Sequence, residues 1–381
     1  MPAKVIVATL LRETGETGVQ THFNAFRDYL QADVPVEVVT PFAAPSWAVY
    51  PVFGLRRLVD RIDSTASVWW YRYWHYLFLR LALRERLRDG HGVIYAQCPL
   101  SARAALEARV SPSQRVVLVT HFNISQAHEF AMKGQIHEGG RYYRAIRAME
   151  ARILPQVDGV VYVSEFMRQT LEKEMPPIAK VPAAVIPNFV ARPPNGEPND
   201  NRPLRDLISI GTLEPRKNQQ YLLRVLAAAA KHGRRYTLTL VGDGPDRSML
   251  ENLADELGVA ELVDFAGFRP DAASLLAGHR AYVHGALIEN LPLTLVEALA
   301  RGLPVFAAAV GGIPEVFTEG VEGSFWPLDD ADAGAQRLME ILDDPARYAC
   351  CVKAAQARFE ERFEAGAVGE RLLRFVSGAG S

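Results

Sequence analysis

Two carboxylates, Glu289 and Glu297, bracket a predicted helix start within residues 282–317, YVHGALIENLPLTLVEALARGLPVFAAAVGGIPEVF. Leu287-Ile288 read as the close of a buried strand, and Glu289-Asn290-Leu291 as a short loop. Pro292 stands where helices begin, because its missing N–H is not needed there. Leu293, Val296, Glu297 and Ala300 then follow a helical period. The free N–H groups and positive dipole end of such a start, with Thr294 in its first turn, form a ready anion site. Glu289 is expected beside that anion and Glu297 deeper in the same cleft. A second charge source is Arg216-Lys217, at the strand-to-helix junction of DLISIGTLEPRKNQQ, residues 206–220. Cations are poorly placed at a helix N-terminus unless they serve a negative group. Arg as a planar fork and Lys as a point charge suit a diphosphate. In VVLVTHFN, His121 ends a buried strand, where doubly wound folds bind ligands.

The 282–317 segment resembles the signature of family 4 glycosyltransferases, a Glu, seven residues and a second Glu followed by E-A-x-A-x-G-x-P-V. Here that reads Glu289 to Glu297, Ala298, Ala300, Gly302, Pro304 and Val305, then Gly311-Gly312-Ile313-Pro314-Glu315. The resemblance implies two Rossmann-like domains facing across a cleft (the GT-B fold), a nucleotide-sugar donor, and retaining transfer that needs no cofactor and no metal. It assigns Glu289 to the donor sugar and developing cation, Glu297 to the ribose hydroxyls, and Arg216, Lys217 and the backbone of Leu291–Thr294 to the diphosphate. Lys217 matches the Lys of the family's G-R-L-x-x-x-K-G stretch, from which this chain departs at Thr212 and Asn218. By resemblance His121 contacts the donor sugar, and Gly18 belongs to a glycine-rich loop near the donor phosphate. VVYVSEFM and VIPNFV give Ser164 and Asn188 similar weight. The turn in LTLVGDGPD matches the family's V-G-x-G-P, and in VDFAGFR Gly267 allows close approach while Phe268 and Arg269 flank the base. Asp330-Ala331-Asp332 fits a divalent-ion pattern but reads as a solvated helix start, and His22 as a surface or capping residue.

The elements that must position these groups are short Val/Ile-rich runs alternating with helical segments, the pattern of parallel βαβ units. Strands are expected at 4–10, 35–40, 92–96, 115–120, 159–163, 184–187, 206–211, 236–242, 262–265, 281–284 and 304–308. A chain of 381 residues fits two domains. These are an acceptor-binding domain over 1–190, a Pro/Asn/Gly-rich linker over 191–204 and a donor-binding domain over 205–351. A last helix over 352–376 is expected, by resemblance, to return to the first domain. Residues 1–190 carry 22 basic and 17 acidic side chains and the remainder 20 and 27, so the first half is the one suited to an anionic partner.

Three cysteines, Cys98, Cys350 and Cys351, form no disulfide framework or metal spacing and fit a reducing cytoplasm. Neither a cleavable signal peptide nor an apolar run long enough to span a bilayer is expected. Residues 53–89 hold eight Arg, four acids and a cluster of Trp and Tyr. They read either as an amphipathic core helix or as a helix lying through Arg56, Arg57 and Arg72 on the anionic inner leaflet. The second reading makes the acceptor a polyprenyl-diphosphate-linked glycan of envelope polysaccharide assembly. Nucleic-acid stacking is excluded by the near-neutral charge and the lack of an RNA-binding motif. The competing classes are a nucleotide-sugar epimerase on the same fold, a non-catalytic binding subunit and an NAD-dependent oxidoreductase. The last lacks a G-x-G-x-x-G after the first strand.

Overall fold

The computed structural model describes residues 4–15, 17–30, 34–122, 124–193 and 204–378. The chain divides into two compact units, 1–187 with 368–381 and 188–367. The boundary therefore falls at Asn188, and most of the predicted linker, 194–203, lies outside the described residues.

The first unit follows the order β1 (Val5–Ala8), α1 (Gly18–Leu30), β2 (Val36–Val39), α2 (Ser46–Ile62), α3 (Ser64–Arg86), β3 (Val93–Ala96), α4 (Pro99–Ala108) and β4 (Arg115–Thr120). It continues through α5 (Gln126–Met132), α6 (Arg141–Ile153), β5 (Gly159–Tyr162), α7 (Glu165–Glu174) and β6 (Ala183–Val185). All strands are parallel, in the order β2-β1-β3-β4-β5-β6. The inner strands are buried along their length, which is why they read as unbroken Val/Ile runs rather than alternating ones.

The second unit runs β7 (Arg205–Ile210), α8 (Gln219–Lys231), β8 (Leu238–Val241), α9 (Arg247–Glu256), β9 (Val263–Gly267), α10 (Ala272–Leu275), β10 (His279–His284) and α11 (Leu293–Ala300). After these come β11 (Val305–Ala307), β12 (Gly323–Phe325), α12 (Ala331–Leu342) and α13 (Pro345–Arg362). Its sheet is also parallel, in the order β12-β11-β10-β7-β8-β9. Eleven strands match the predicted runs to within a few residues. The edge strand β12, only three residues long, has no sequence signal of its own.

Two expectations are corrected. The predicted last helix is two helices, because Phe363 and Glu364 interrupt it. Cys351, Ala355 and Phe359 of α13 are buried, and α14 (Ala365–Ser377) buries Val368, Leu372 and Val376. From Val368 onward α14 belongs to the first unit, where Gly369 lies against the Tyr29 ring and Arg371 donates to the Val185 carbonyl at 3.2 Å. Residues 53–89 are not one helix either. Asp63 ends α2 and caps α3 by accepting from the Thr65 N–H at 2.8 Å.

Candidate active site

In the second sheet the strand order reverses direction at β7 and β10, whose carboxyl ends carry the two motifs. A crevice beside such a switch point is where open parallel sheets bind ligands. After β7 the chain turns through Pro215–Lys217, and Asn218 takes a left-handed conformation (φ 51°) before α8 begins. Asn218 donates to the Gly285 carbonyl at 3.1 Å, and the Leu287 N–H donates to the Arg216 carbonyl at 2.9 Å. A Cβ on Gly285 would come within 2.7 Å of the Asn218 carbonyl oxygen. This stitching ends β10 at His284, and Leu287 is 53% exposed rather than closing a buried strand.

Glu289 is brought together with both predicted cations. Lys217 Nζ bonds Glu289 Oε1, and an Arg216 nitrogen lies 3.5 Å from the same oxygen while its neighbour holds Glu214 at 2.7 Å. Burial alone would raise the Glu289 carboxyl, but the Lys217 charge, His284 and Arg216 together hold it well below the usual carboxylate range. It is therefore an anion across the physiological range, in a site already furnished with two cations. His284, missed in the sequence reading, is buried, with Nε2 3.3 Å from Glu289 Oε1. Burial first, and then the neighbouring Lys217, push its imidazole down, so it is neutral at pH 7. Its available signal was its place at the end of a buried strand, the argument that singled out His121.

The backbone of this loop is clamped. Gly312 donates to the Glu289 carbonyl at 3.1 Å, and Asn188 Nδ2 donates to the Leu291 carbonyl at 2.8 Å. Asn290 and Leu291 are buried, Pro292 is the N-cap residue with no side-chain cap, and Leu293 and Thr294 open α11. The Leu295 N–H already donates to the Pro292 carbonyl at 3.2 Å, so the N–H groups of Leu293 and Thr294 are the ones that precede the helix's own bonding. Glu297 sits half-buried on α11, and burial pushes its carboxyl up to about 7. Burial above all pushes the phenol of Tyr282 up, and the charges of Glu297 and Glu289 add to it. At the far edge, Gly267 (φ 70°) ends β9 and Phe268 is 66% exposed, free to meet a planar ligand. Asp330 caps α12, accepting from the Ala333 N–H at 2.9 Å, so the helix start read from the sequence is in place there.

Glu297 yields a pH prediction. Its folded value exceeds its free value, so the native state keeps a proton that the unfolded chain releases between pH 4.5 and 7. Stability is full below that window and falls as pH rises through it, by up to roughly 3 kcal/mol. Glu297→Gln should therefore melt above wild type at pH 8 and level with it at pH 4.5, followed by scanning calorimetry.

In the first unit His121 follows β4, and burial pushes its imidazole down to about 3. Its Nε2 is buried without a hydrogen-bond partner among the described residues. His22 is not the surface residue expected: it is fully buried on α1, with its ring edge-on to His121 at 4.5 Å and Nε2 3.0 Å from the Tyr95 hydroxyl. Gly18 is the first residue of α1, and Ser164 caps α7 by accepting from the Met167 N–H at 3.1 Å. Two of the three arginines expected on a basic face are engaged within the protein. Arg72 is buried and donates to Gln126 at 3.0 Å, while Arg56 bonds Ser67 at 3.3 Å and lies over the Tyr71 ring. The Arg57 side chain is outside those described.

Residues 17–192 match the model of Glycosyltransferase Family 4, and residues 195–358 match that of Glycosyl transferases group 1. A GDP-mannose-dependent alpha-(1-6)-phosphatidylinositol monomannoside mannosyltransferase of Mycolicibacterium smegmatis is 28% identical over 304 residues, 74% of this chain and 75% of that one. The solved structure of Anabaena HepE with UDP and glucose superposes with a TM-score of 0.68 at 19% identity, over 99% of this chain and all of that one. Sucrose-phosphate synthase of Thermosynechococcus elongatus superposes at 0.74 with 18% identity, over 99% of this chain and 98% of that one. With matched models covering both units, this chain is a hexosyltransferase of the family 4 type, built on the GT-B fold and using a nucleotide-sugar donor.

Proposed function

We propose that the enzyme moves a hexose from a UDP- or GDP-sugar, with retention of anomeric configuration, to a lipid-linked glycan acceptor. The observation that supports this most is the convergence of Lys217, Arg216 and the uncapped α11 start on Glu289, at the switch point of the second sheet. Breaking a sugar–diphosphate bond leaves positive charge on the anomeric carbon and negative charge on the departing phosphate. Lys217, Arg216 and the backbone N–H groups of Leu293 and Thr294 stabilise the second. Glu289 faces the first, and its depressed proton affinity keeps it anionic for that role. Preorganised charge of this kind is usually the largest catalytic contribution. Lys217 and Arg216 both pair with Glu289, so the diphosphate and the sugar are held by one connected set of charges. Glu297 accepts from the ribose hydroxyls, His121 contacts the donor sugar, and no divalent ion takes part.

A thermal-shift panel of UDP, GDP, ADP and NAD tests the donor. A native-state ligand at a hundredfold excess over its dissociation constant stabilises by about 2.7 kcal/mol. UDP or GDP should raise the melting temperature and NAD should not; a response to NAD alone would overturn the reading. Retention is checked by the anomeric proton coupling of the first product formed.

The lipid-linked acceptor is supported by α2. Among the described residues no helix is long and apolar enough to cross a membrane. Yet Trp47, Tyr50, Leu55, Leu58 and Ile62 are exposed along one face of α2 at helical spacing, with Trp47 at 80% and Ile62 at 86%. Such a face suits shallow burial in a lipid interface. The inner-leaflet contact therefore runs through α2 and not through Arg72. Vesicle flotation should be weakened by Trp47→Ser with Leu58→Ser and unaffected by Arg72→Gln. The converse pattern would discard it.

A further inference from the structure

The first unit holds a second feature that the transfer chemistry does not use, an open cavity of about 500 Å³ among α3, α4 and α6. Its lining includes three guanidinium side chains, Arg72, Arg103 and Arg152, and three aromatic ones, Trp69, Tyr73 and Tyr76. No acidic side chain lines it among the described residues. Each arginine comes from a different helix, so the positive charge does not come from one solvated helix face.

The charge on these groups is only partly answered. Arg72 is 4% exposed, and its hydrogen-bond acceptor is the neutral amide of Gln126 at 3.0 Å. The nearby buried Glu150 is occupied by the Ser125 hydroxyl at 2.6 Å, the Gln126 N–H at 2.9 Å and Arg147 at 3.6 Å. A buried guanidinium without a direct carboxylate costs stability unless something else supplies the negative charge. Arg103 stacks over Tyr76 at 4.2 Å and pairs with Glu107 at 2.9 Å, which leaves part of its fork turned to the cavity. Arg152 is exposed and forms no ion pair among the described residues. Beside this charge the walls are apolar: Ile146 and Met149 of α6 face the α3 aromatics, and Tyr73 is 55% exposed. Trp69 adds an indole N–H that is buried without an acceptor.

Inorganic anions alone would leave that apolar wall unused, and a neutral lipid would leave three cations unanswered. The geometry points to a binding site for a phosphate ester whose organic body packs on Trp69, Tyr73 and Tyr76 while its phosphate meets Arg72, Arg103 and Arg152. Arginine forks match phosphate oxygens bidentately, and aromatic faces hold either an acyl chain or the apolar face of a sugar ring. The ester has two sources, a lipid phosphate or a soluble sugar phosphate, and they are separable by experiment.

The test is calorimetric titration of the full chain, which needs neither donor nor transfer and so stands apart from the proposed activity. The probes are decyl phosphate below its micelle concentration, glucose 1-phosphate, inorganic phosphate and decyl maltoside, each with saturating UDP and GDP present to fill the donor site. At least one phosphate ester should bind ten times more tightly than inorganic phosphate and decyl maltoside. Tight decyl phosphate identifies the lipid source, and tight glucose 1-phosphate the soluble one. Arg152→Gln, on the exposed side, should weaken the tight ester at least tenfold while leaving the melting temperature unchanged, and Arg103→Gln should weaken it further at some cost in melting temperature through its Glu107 pair. Trp69→Phe should remove the accompanying change in tryptophan fluorescence. Equal binding of ester and inorganic phosphate, insensitivity to Arg152→Gln, or no saturable binding by either ester would each overturn the proposal.

Discussion

Glu289→Ala should lower kcat by ~10²–10³, the usual cost of removing one preorganised charge from an active site, while nucleoside diphosphate still binds. Glu289 is 8% exposed and shares one oxygen with Lys217, Arg216 and His284, so its removal also leaves two cations side by side. Breaking a buried pair by deleting one partner costs about 3–5 kcal/mol, and the apo variant should melt well below wild type. A nucleoside diphosphate supplies the missing negative charge, so its stabilising effect should be larger on the variant than on the parent. Lys217→Ala should instead weaken both transfer and nucleotide binding. Deleting both residues should cost less than the sum of the single deletions, since neither charge is then left alone. Near-wild-type turnover by Glu289→Ala would remove this residue from the catalytic assignment.

The second large effect is expected at a residue that acts through the backbone of Glu289. Gly311 has φ 58°, and a Cβ there would lie 1.8 Å from the carbonyl oxygen of Glu289. Left-handed backbone costs a non-glycine residue roughly 1–2 kcal/mol, and the clash is with main chain, which cannot rotate away. Gly311→Ala must therefore displace the loop that aims Glu289. We expect kcat to fall by ~10² or more, in the range reported for misplaced catalytic groups, with a stability loss of about 2 kcal/mol or more. Gly320→Ala is the control, because Gly320 has φ 74° but open space around its Cβ position. It should carry the backbone strain alone and keep full activity. If both glycines behave alike in turnover, the clamp on Glu289 has no catalytic consequence.

The second unit was the more legible of the two. Its helix start, both acids and the returning glycines lie within one continuous segment, and a local motif survives translation into sequence. Parallel sheets bury their inner strands on both faces, so Val/Ile runs marked those strands too. What escaped were relations between residues distant in the chain. His22 and His121 meet ring to ring across about a hundred residues of sequence, and nothing near His22 signals burial. The end of β10 depended on Gly285 meeting the Asn218 carbonyl, a contact between two loops. Composition left Arg72 either on an amphipathic core helix or against an anionic leaflet, whereas it faces α5 and α6 because Gln126 and Glu150 lie there. Periodicity says which side of a helix is polar, but not whether that side meets water.

The route of the chain through its two units bears on how the protein is made. The first unit is discontinuous, lacking Val368, Leu372 and Val376 until all of residues 188–367 have left the ribosome. Until then Tyr29 and the far edge of the first sheet, around β6, lack the helix that covers them. Domains generally fold in order of synthesis, yet here the unit synthesised first must finish last. The second unit, being continuous, can complete its core unaided. A nascent chain stalled before residue 368 should accordingly display a protease-resistant second unit behind a first unit that is still open to chaperones.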